Sequence, residues 1–141
     1  MIEVAMVISN KGFPLCTVFG SAARVDFPEE YIWNTHKRYP GLIKIMAHSH
    51  PDGMNFMSEE DRTTLKAWTM ALAPYTIYFD IVCYDNHDIK RKRYWYTLES
   101  LNEWVKRGKK GEREMRLQTM DMTGEYADWI RDLMSLSNRL D

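Results

Sequence analysis

The residues with the clearest capacity for chemistry are His48 and His50, together with Asp61, thirteen positions after the first histidine. Two side chains separated by one residue on a strand project from the same face, so both imidazoles can reach one ion. Asp61 falls in the first turn of a predicted helix, where the helix dipole favours a carboxylate. Two nitrogens and one oxygen leave a fourth position to water, as in catalytic rather than structural zinc sites.

The elements that must position these residues follow from periodicity and turn residues. In chain order we expect a strand over 2–9, a strand over 13–19, a helix over 27–39, a strand over 42–49, a helix from Ser58 to about Pro74, and a hairpin of strands over 76–84 and 90–97. Asp26, Pro28 and Glu29 mark the start of the first helix. Strands and helices alternate, so a layered α/β or α+β sheet is the expected architecture.

The spacing of the chemical residues resembles the signature of the JAMM or MPN-type (JAB domain) metalloproteases. That signature is His-x-His-Pro, then six residues, then Ser-x-x-Asp, and it stands here as His48, His50, Pro51, Ser58 and Asp61. The resemblance implies that the two histidines and Asp61 bind Zn²⁺ and that Ser58 helps to hold the oxyanion of the tetrahedral intermediate. It also implies an α/β fold with a mixed β-sheet flanked by helices, layered as in cytidine deaminases.

By order of elements, the resemblance covers residues 1–98, which we expect to form the metalloprotease-like domain. Residues 99–141 are expected to form a helical C-terminal extension, with a basic linker over 106–113. The extension is predicted to begin with a short helix and to end in a helix from about Thr123. The apolar side chains of that last helix favour a homodimer contact.

The family uses a glutamate on an early strand as its general base, and Glu3 is the expected residue here. A base must lie within about 2.6–3.2 Å of the atom whose proton it accepts. Only a strand next to the histidine-bearing strand would place Glu3 there. Glu29 and Glu30 are the alternatives, but the first turn of a helix already explains acidic residues at those positions.

The resemblance implies a zinc metallopeptidase that hydrolyses a peptide or isopeptide bond in a protein or peptide substrate. Many members act at the C-terminus of a ubiquitin-like protein, as deubiquitinases do. In this chemistry Glu3 accepts the proton of a zinc-activated water, and Ser58 donates to the developing oxyanion. The alternative from another class is a non-catalytic MPN-fold scaffold for protein interactions.

Composition and charge argue against several other classes. The net charge of -1 provides no field that would attract nucleic acid or an anionic membrane. The basic run 90–93 before the aromatic run 94–96 is typical of nucleic-acid surfaces, but a solvated or edge strand that blocks aggregation is the expected role. The chain shows no signal peptide and no apolar run of about 18 residues. We therefore expect a cytoplasmic protein without membrane contacts, with Cys16 and Cys83 as reduced thiols.

Overall fold

The architecture is mixed α/β. The computed structural model describes residues 2–50, 56–85, 88–108, 110 and 116–122. Its helices are α1 (Glu29–Arg38), α2 (Glu59–Ala71) and α3 (Leu98–Lys106). Its strands are β1 (Val4–Ser9), β2 (Pro14–Phe19), β3 (Ile43–His50), β4 (Tyr78–Asp85), β5 (Asp88–Tyr96) and β6 (Leu117–Met122). The elements predicted up to residue 97 are thus confirmed, with ends that differ by no more than a few residues.

All six strands form one mixed sheet in the order β2-β1-β3-β4-β5-β6. The β3–β4 pair is parallel, and the other neighbouring strands pair in antiparallel fashion. β1 lies between β2 and β3, with Ala5 opposite His48. The first strand is therefore a direct neighbour of the histidine-bearing strand, which is the placement that the expected role of Glu3 requires.

The three helices share one apolar core with the sheet. Ile32 of α1, Leu65 of α2 and Leu101 of α3 belong to the same cluster, together with Leu72, the C-cap residue of α2. The strands contribute large side chains to it, among them Val7, Met46, Phe79, Ile81 and Tyr94. Burying one such side chain stabilises the fold by about 1.5–3 kcal/mol. This packing fixes the first turn of α2 relative to the end of β3. It therefore fixes the distance between the histidine pair on β3 and Asp61 on α2.

The alternation in β1 does not separate a buried face from an exposed one. Every residue of Val4–Ser9 is buried. In the sequence, Val4, Met6 and Ile8 alternate with Ala5, Val7 and Ser9. Both sets are buried, so both faces of β1 are covered.

The stretch after residue 98 differs from the expected helical extension. α3 places Leu101 and Trp104 in the same core cluster as the preceding elements. Leu117–Met122 forms β6, which pairs with β5. Periodicity does not reveal this strand because its partner is distant in sequence. Within the expected linker over 106–113, α3 ends at Lys106. The predicted helix from Thr123 lies outside the described residues, and the domain boundary at residue 98 stays a prediction.

Two arginines of the basic run are not solvated, contrary to the sequence-based expectation. Arg93 donates two hydrogen bonds to Asp80 of β4, at 2.8 and 3.0 Å. Arg91 Nε lies 3.9 Å from Asp80 Oδ2, and the Asp80 side chain is fully buried. β5 is also not an edge strand, since β6 covers it. A buried carboxylate requires a paired cation. The role of these two arginines is therefore to pair with Asp80, not to protect an exposed sheet edge from aggregation.

Helix hydrophobicity and the two cysteines can be compared with the sequence-based expectations. None of the helices in the described ranges has the length and the apolar character needed to cross a bilayer. Cys16 on β2 and Cys83 on β4 are free thiols, and Cys83 is buried. Both cysteines therefore lie on strands, as predicted from the apolar runs that contain them.

Candidate metal centre

His48 and His50 lie at the C-terminal end of β3. Their ring centroids are 5.1 Å apart, with perpendicular ring planes. His48 also contacts the rings of Phe27 and Phe79, at centroid distances of 6.2 and 6.4 Å. The His48 side chain is only 9% exposed. Backbone pairing with β1 and these aromatic neighbours therefore hold the His48 imidazole in one position.

Asp61 lies in the first turn of α2, where a capping box orients its carboxylate. The Asp61 N–H donates to Ser58 Oγ at 3.0 Å, and the Ser58 N–H donates to Asp61 Oδ2 at 3.1 Å. His50 Nε2 lies 3.1 Å from Asp61 Oδ2, and His48 Nδ1 lies 3.3 Å from Asp61 Oδ1. The Ser-x-x-Asp pattern is thus a helix cap, as its sequence also indicates. The same cap directs Asp61 toward the two histidines.

The three side chains can hold a metal ion. Their donor atoms all lie within 4.8 Å of one another. Ligand atoms about 2.0–2.1 Å from a tetrahedral ion are about 3.3 Å apart, close to the nitrogen–oxygen distances found here. Within the described part of the chain, neither ring nitrogen of His48 makes a hydrogen bond of good geometry, although the residue is buried. Buried polar atoms without partners are costly, and a bound cation would satisfy one of the two ring nitrogens. The residues present therefore fit a divalent cation.

The electrostatics of the cluster prepare Asp61 as a ligand. Burial raises the pKa of the Asp61 carboxyl, but the neighbouring imidazoles of His48 and His50 and the Ser58 N–H together outweigh it, so the pKa lies well below its ordinary value. Asp61 is therefore ionised at neutral pH. Metal ligands must be deprotonated, so no proton has to leave Asp61 when a cation binds.

Glu3 lies beside the cluster. Its Oε2 is 3.7 Å from His48 Nε2, and its side chain is 13% exposed. The backbone of Glu3 continues the β1–β2 ladder: its N–H donates to the Ser21 carbonyl at 2.8 Å, and its carbonyl accepts from the Gly20 N–H at 2.9 Å. A Cβ atom at residue 20 would overlap the Arg24 carbonyl oxygen. A glycine is thus required where the loop after β2 folds back against Glu3.

The two alternative glutamates occupy the first turn of α1 and are exposed. Glu29 lines the same cleft as the histidines, whereas Glu30 is not among the described residues that line it. In the described ranges, Glu3 is the one of the three glutamates with a carboxylate within 4 Å of a histidine nitrogen. The structure therefore brings Glu3, rather than Glu29 or Glu30, against the candidate metal ligand His48.

The cluster opens into a cleft of about 840 Å³. Its walls come from residues 22–27, from Glu29 at the start of α1, and from residues of α2 between Glu60 and Trp68. Arg24 connects two of these walls, because its guanidinium lies 3.0 Å from Asp26 Oδ1 and 3.5 Å from Glu60 Oε1. The cleft thus connects the three candidate metal ligands with solvent.

The sequence analysis missed two residues of this cleft, Arg24 and Phe27. Both precede α1, although the predicted helix over 27–39 included Phe27, and their positions depend on contacts with distant elements. Asp26 was expected to cap the first helix. It pairs with Arg24 instead, and α1 begins after Pro28 without a side-chain cap. Arg24 pairs with Asp26 and with the distant Glu60. A single sequence gives no signal for such a contact between separate segments.

Comparison with protein-family models and with curated proteins gave no match for this chain. The resemblance described above therefore depends on the signature residues from His48 to Asp61. The geometry of the cluster is independent of that resemblance. It establishes a buried group of two histidines and one aspartate that can hold a metal ion, next to a glutamate and a cleft.

Proposed function

We propose that this chain is a zinc metallopeptidase of JAMM type that hydrolyses a peptide or isopeptide bond. The observation that carries the proposal is the convergence of three chain segments: Glu3, the pair His48 and His50, and Asp61 meet at one cleft. Clustered ionisable side chains with perturbed environments in a cleft are typical of catalytic sites.

The donor set supports zinc as the metal. Two imidazoles and one carboxylate form a common set of protein ligands for catalytic zinc. When bound at such a site, zinc polarises a carbonyl oxygen and makes a water molecule acidic near neutral pH. Iron(II) also binds two histidines and one carboxylate, so the identity of the metal must be measured.

Glu3 and Ser58 have complementary roles in the proposed reaction. Glu3 Oε2 accepts the proton of the attacking water and later delivers it to the leaving amine. Ser58 Oγ accepts a hydrogen bond from the Asp61 N–H. A hydroxyl carries one donor besides its two acceptor positions, so the Ser58 hydrogen is available to the developing oxyanion. His48, His50 and Asp61 hold the metal and take no proton.

The proposed substrate is a protein or a peptide, with the C-terminus of a ubiquitin-like protein as the first candidate. The pairing of Arg91 and Arg93 with Asp80 argues against a nucleic-acid surface on β5, because both guanidiniums lie against a buried carboxylate and expose little surface. We keep the cytoplasm as the proposed compartment. The homodimer through the C-terminal helix stays a prediction about residues outside the described ranges.

Metal content and hydrolysis together test this function. The protein is purified without chelator, supplied with excess zinc and then dialysed. It is expected to retain about one zinc ion per chain, measured by inductively coupled plasma mass spectrometry. His48→Ala and Asp61→Ala are expected to lose the ion. His36→Ala is the matched control, because His36 lies on α1 against Tyr75 and not in the cleft.

Activity is measured on peptide and isopeptide substrates with the zinc-loaded protein. We expect hydrolysis that a chelator abolishes and added zinc restores. Bound zinc without turnover of any substrate would favour the scaffold alternative. Absence of zinc from the unaltered chain, or retention of zinc in both alanine variants, would remove the proposed metal site.

A further inference from the structure

The cleft beside the proposed metal site carries an excess of negative charge. Its described lining includes these charged residues: Glu3, Asp26, Glu29, Glu60, Asp61 and Arg24. A divalent cation would neutralise two of the five carboxylates, and Arg24 would neutralise a third. Two negative charges then face any molecule that enters the cleft.

Glu29 and Glu60 are the two carboxylates best placed to meet a substrate. Both are exposed and lie in the first turn of a helix. Within the described residues Glu29 has no ion-pair partner, and Glu60 is 3.5 Å from Arg24 Nη2. The Arg24 guanidinium, held between Asp26 and Glu60, already shows that a cation can occupy this wall.

The acidic lining surrounds a place where a ligand is expected on separate grounds. The His48 side chain is more than nine-tenths buried and lines the cleft. Within the described part of the chain, neither of its ring nitrogens makes a hydrogen bond of good geometry, although Nδ1 lies 3.3 Å from Asp61 Oδ1. The carboxylates therefore border a binding site, which distinguishes them from acidic residues of an ordinary solvated surface.

We propose that the substrate carries a lysine or arginine side chain beside the scissile bond, and that Glu29 and Glu60 bind this side chain. The inference rests on the proposed function, because it concerns the substrate of that same site. A substrate with acidic residues at these positions would bring like charges together and would be rejected. The two glutamates are thus specificity-determining residues and take no part in the proton transfers.

Binding is measured separately from hydrolysis. The full chain with Glu3→Gln, loaded with zinc, is titrated into fluorescein-labelled alanine-rich octapeptides that carry two central lysines, norleucines or glutamates. By fluorescence anisotropy, the lysine peptide is expected to bind about fivefold more tightly than the norleucine peptide, and the glutamate peptide more weakly than both. Raising NaCl from about 0.05 to 0.5 M should shrink these differences, since screening acts on exposed charges.

A charge-matched pair of variants tests the two named glutamates. Glu29→Gln with Glu60→Gln is expected to abolish the preference for lysine. Glu30→Gln with Glu59→Gln removes the same charge from the same helix turns, outside the described lining of the cleft, and is expected to keep it. Equal binding of the three peptides, no measurable binding of the lysine peptide, or an equal effect of both double variants would overturn the inference.

Hydrolysis of the same peptides by the chain with native Glu3 separates this inference from the proposed function. Cleavage mapped by mass spectrometry is expected next to the basic residues. Cleavage without a basic preference would overturn the inference and leave the hydrolase intact. If no peptide or isopeptide is cleaved, the proposed function fails, and the anisotropy series still decides whether the cleft prefers basic peptides.

Discussion

Glu3→Gln removes the proposed proton acceptor while leaving its surroundings in place. Glutamine has nearly the same shape and keeps the backbone groups that pair with Gly20 and Ser21. A neutral amide next to His48 cannot accept a proton from water. The substitution therefore separates the chemical role of the Glu3 carboxylate from its structural role.

The expected size of the effect follows from this geometry. A positioned general base typically contributes about 10²–10⁴-fold in rate, or roughly 3–5 kcal/mol of activation free energy. We expect kcat to fall within that range, with KM nearly unchanged. The variant loses the carboxylate that lies 3.7 Å from His48 Nε2. It should therefore lose no more than about 1.5 kcal/mol in the free energy of unfolding, the net value of one polar contact. Zinc content should not change, because His48, His50 and Asp61 are intact.

The assay combines steady-state hydrolysis of a cleaved peptide, elemental analysis of bound zinc and urea unfolding. Glu30→Gln is the matched control, since it removes an exposed carboxylate outside the described lining of the cleft. If Glu3→Gln binds zinc and retains kcat within about threefold, the assignment of Glu3 as base is refuted. A large loss of kcat in Glu29→Gln instead would transfer the role to that residue.

Three other predictions concern stability and the helix cap. Ser58→Ala is expected to lower the free energy of unfolding by about 1 kcal/mol and kcat by about 100-fold. Ser58→Gly should keep most of the stability and show the same loss of kcat. Equal stability of the two variants would contradict the role of Ser58 as a helix cap. Since the folded pKa of Asp61 lies below its unfolded value of about 4, its stabilising contribution is present above that pH and is lost as pH falls through the folded pKa. Urea unfolding of the metal-free chain between about pH 6 and 3 should show the onset of this loss, with a flatter dependence in Asp61→Asn. Asp80→Asn is expected to cost about 3–5 kcal/mol because Arg93 loses its buried partner, whereas exposed Asp121→Asn should cost less than about 0.5 kcal/mol in the same assay.

The part of the site that could be predicted from the sequence is the part encoded locally. His48 and His50 are two positions apart on a strand, and Ser58 and Asp61 are three positions apart at a helix start, so each pair is fixed by the geometry of one element. Glu3 could be predicted only on the condition that two particular strands are neighbours. The structure meets this condition, because β1 pairs with β3.

Non-local contacts explain what the sequence did not reveal. Asp80 and Arg93 pair across neighbouring strands, and nothing in the run 90–93 indicates that a buried carboxylate faces it. β6 depends on β5 for its formation, so its own periodicity is a weak signal. Arg24 reaches the cleft because the loop after β2 folds back over Gly20, and such a path is set by tertiary contacts.

The capping box of α2 has a consequence for the way in which a cation would enter and leave. The Ser58 N–H donates to the Asp61 carboxylate, and this hydrogen bond is part of the cap at the N-terminus of α2. The carboxylate therefore keeps its direction whether or not an ion is present. Loading and stripping of the metal are then local exchange events that require no refolding of the helix start. This behaviour is unlike that of zinc fingers, in which the ion is needed for the fold to form. Far-ultraviolet circular dichroism should accordingly remain unchanged when a chelator removes the ion.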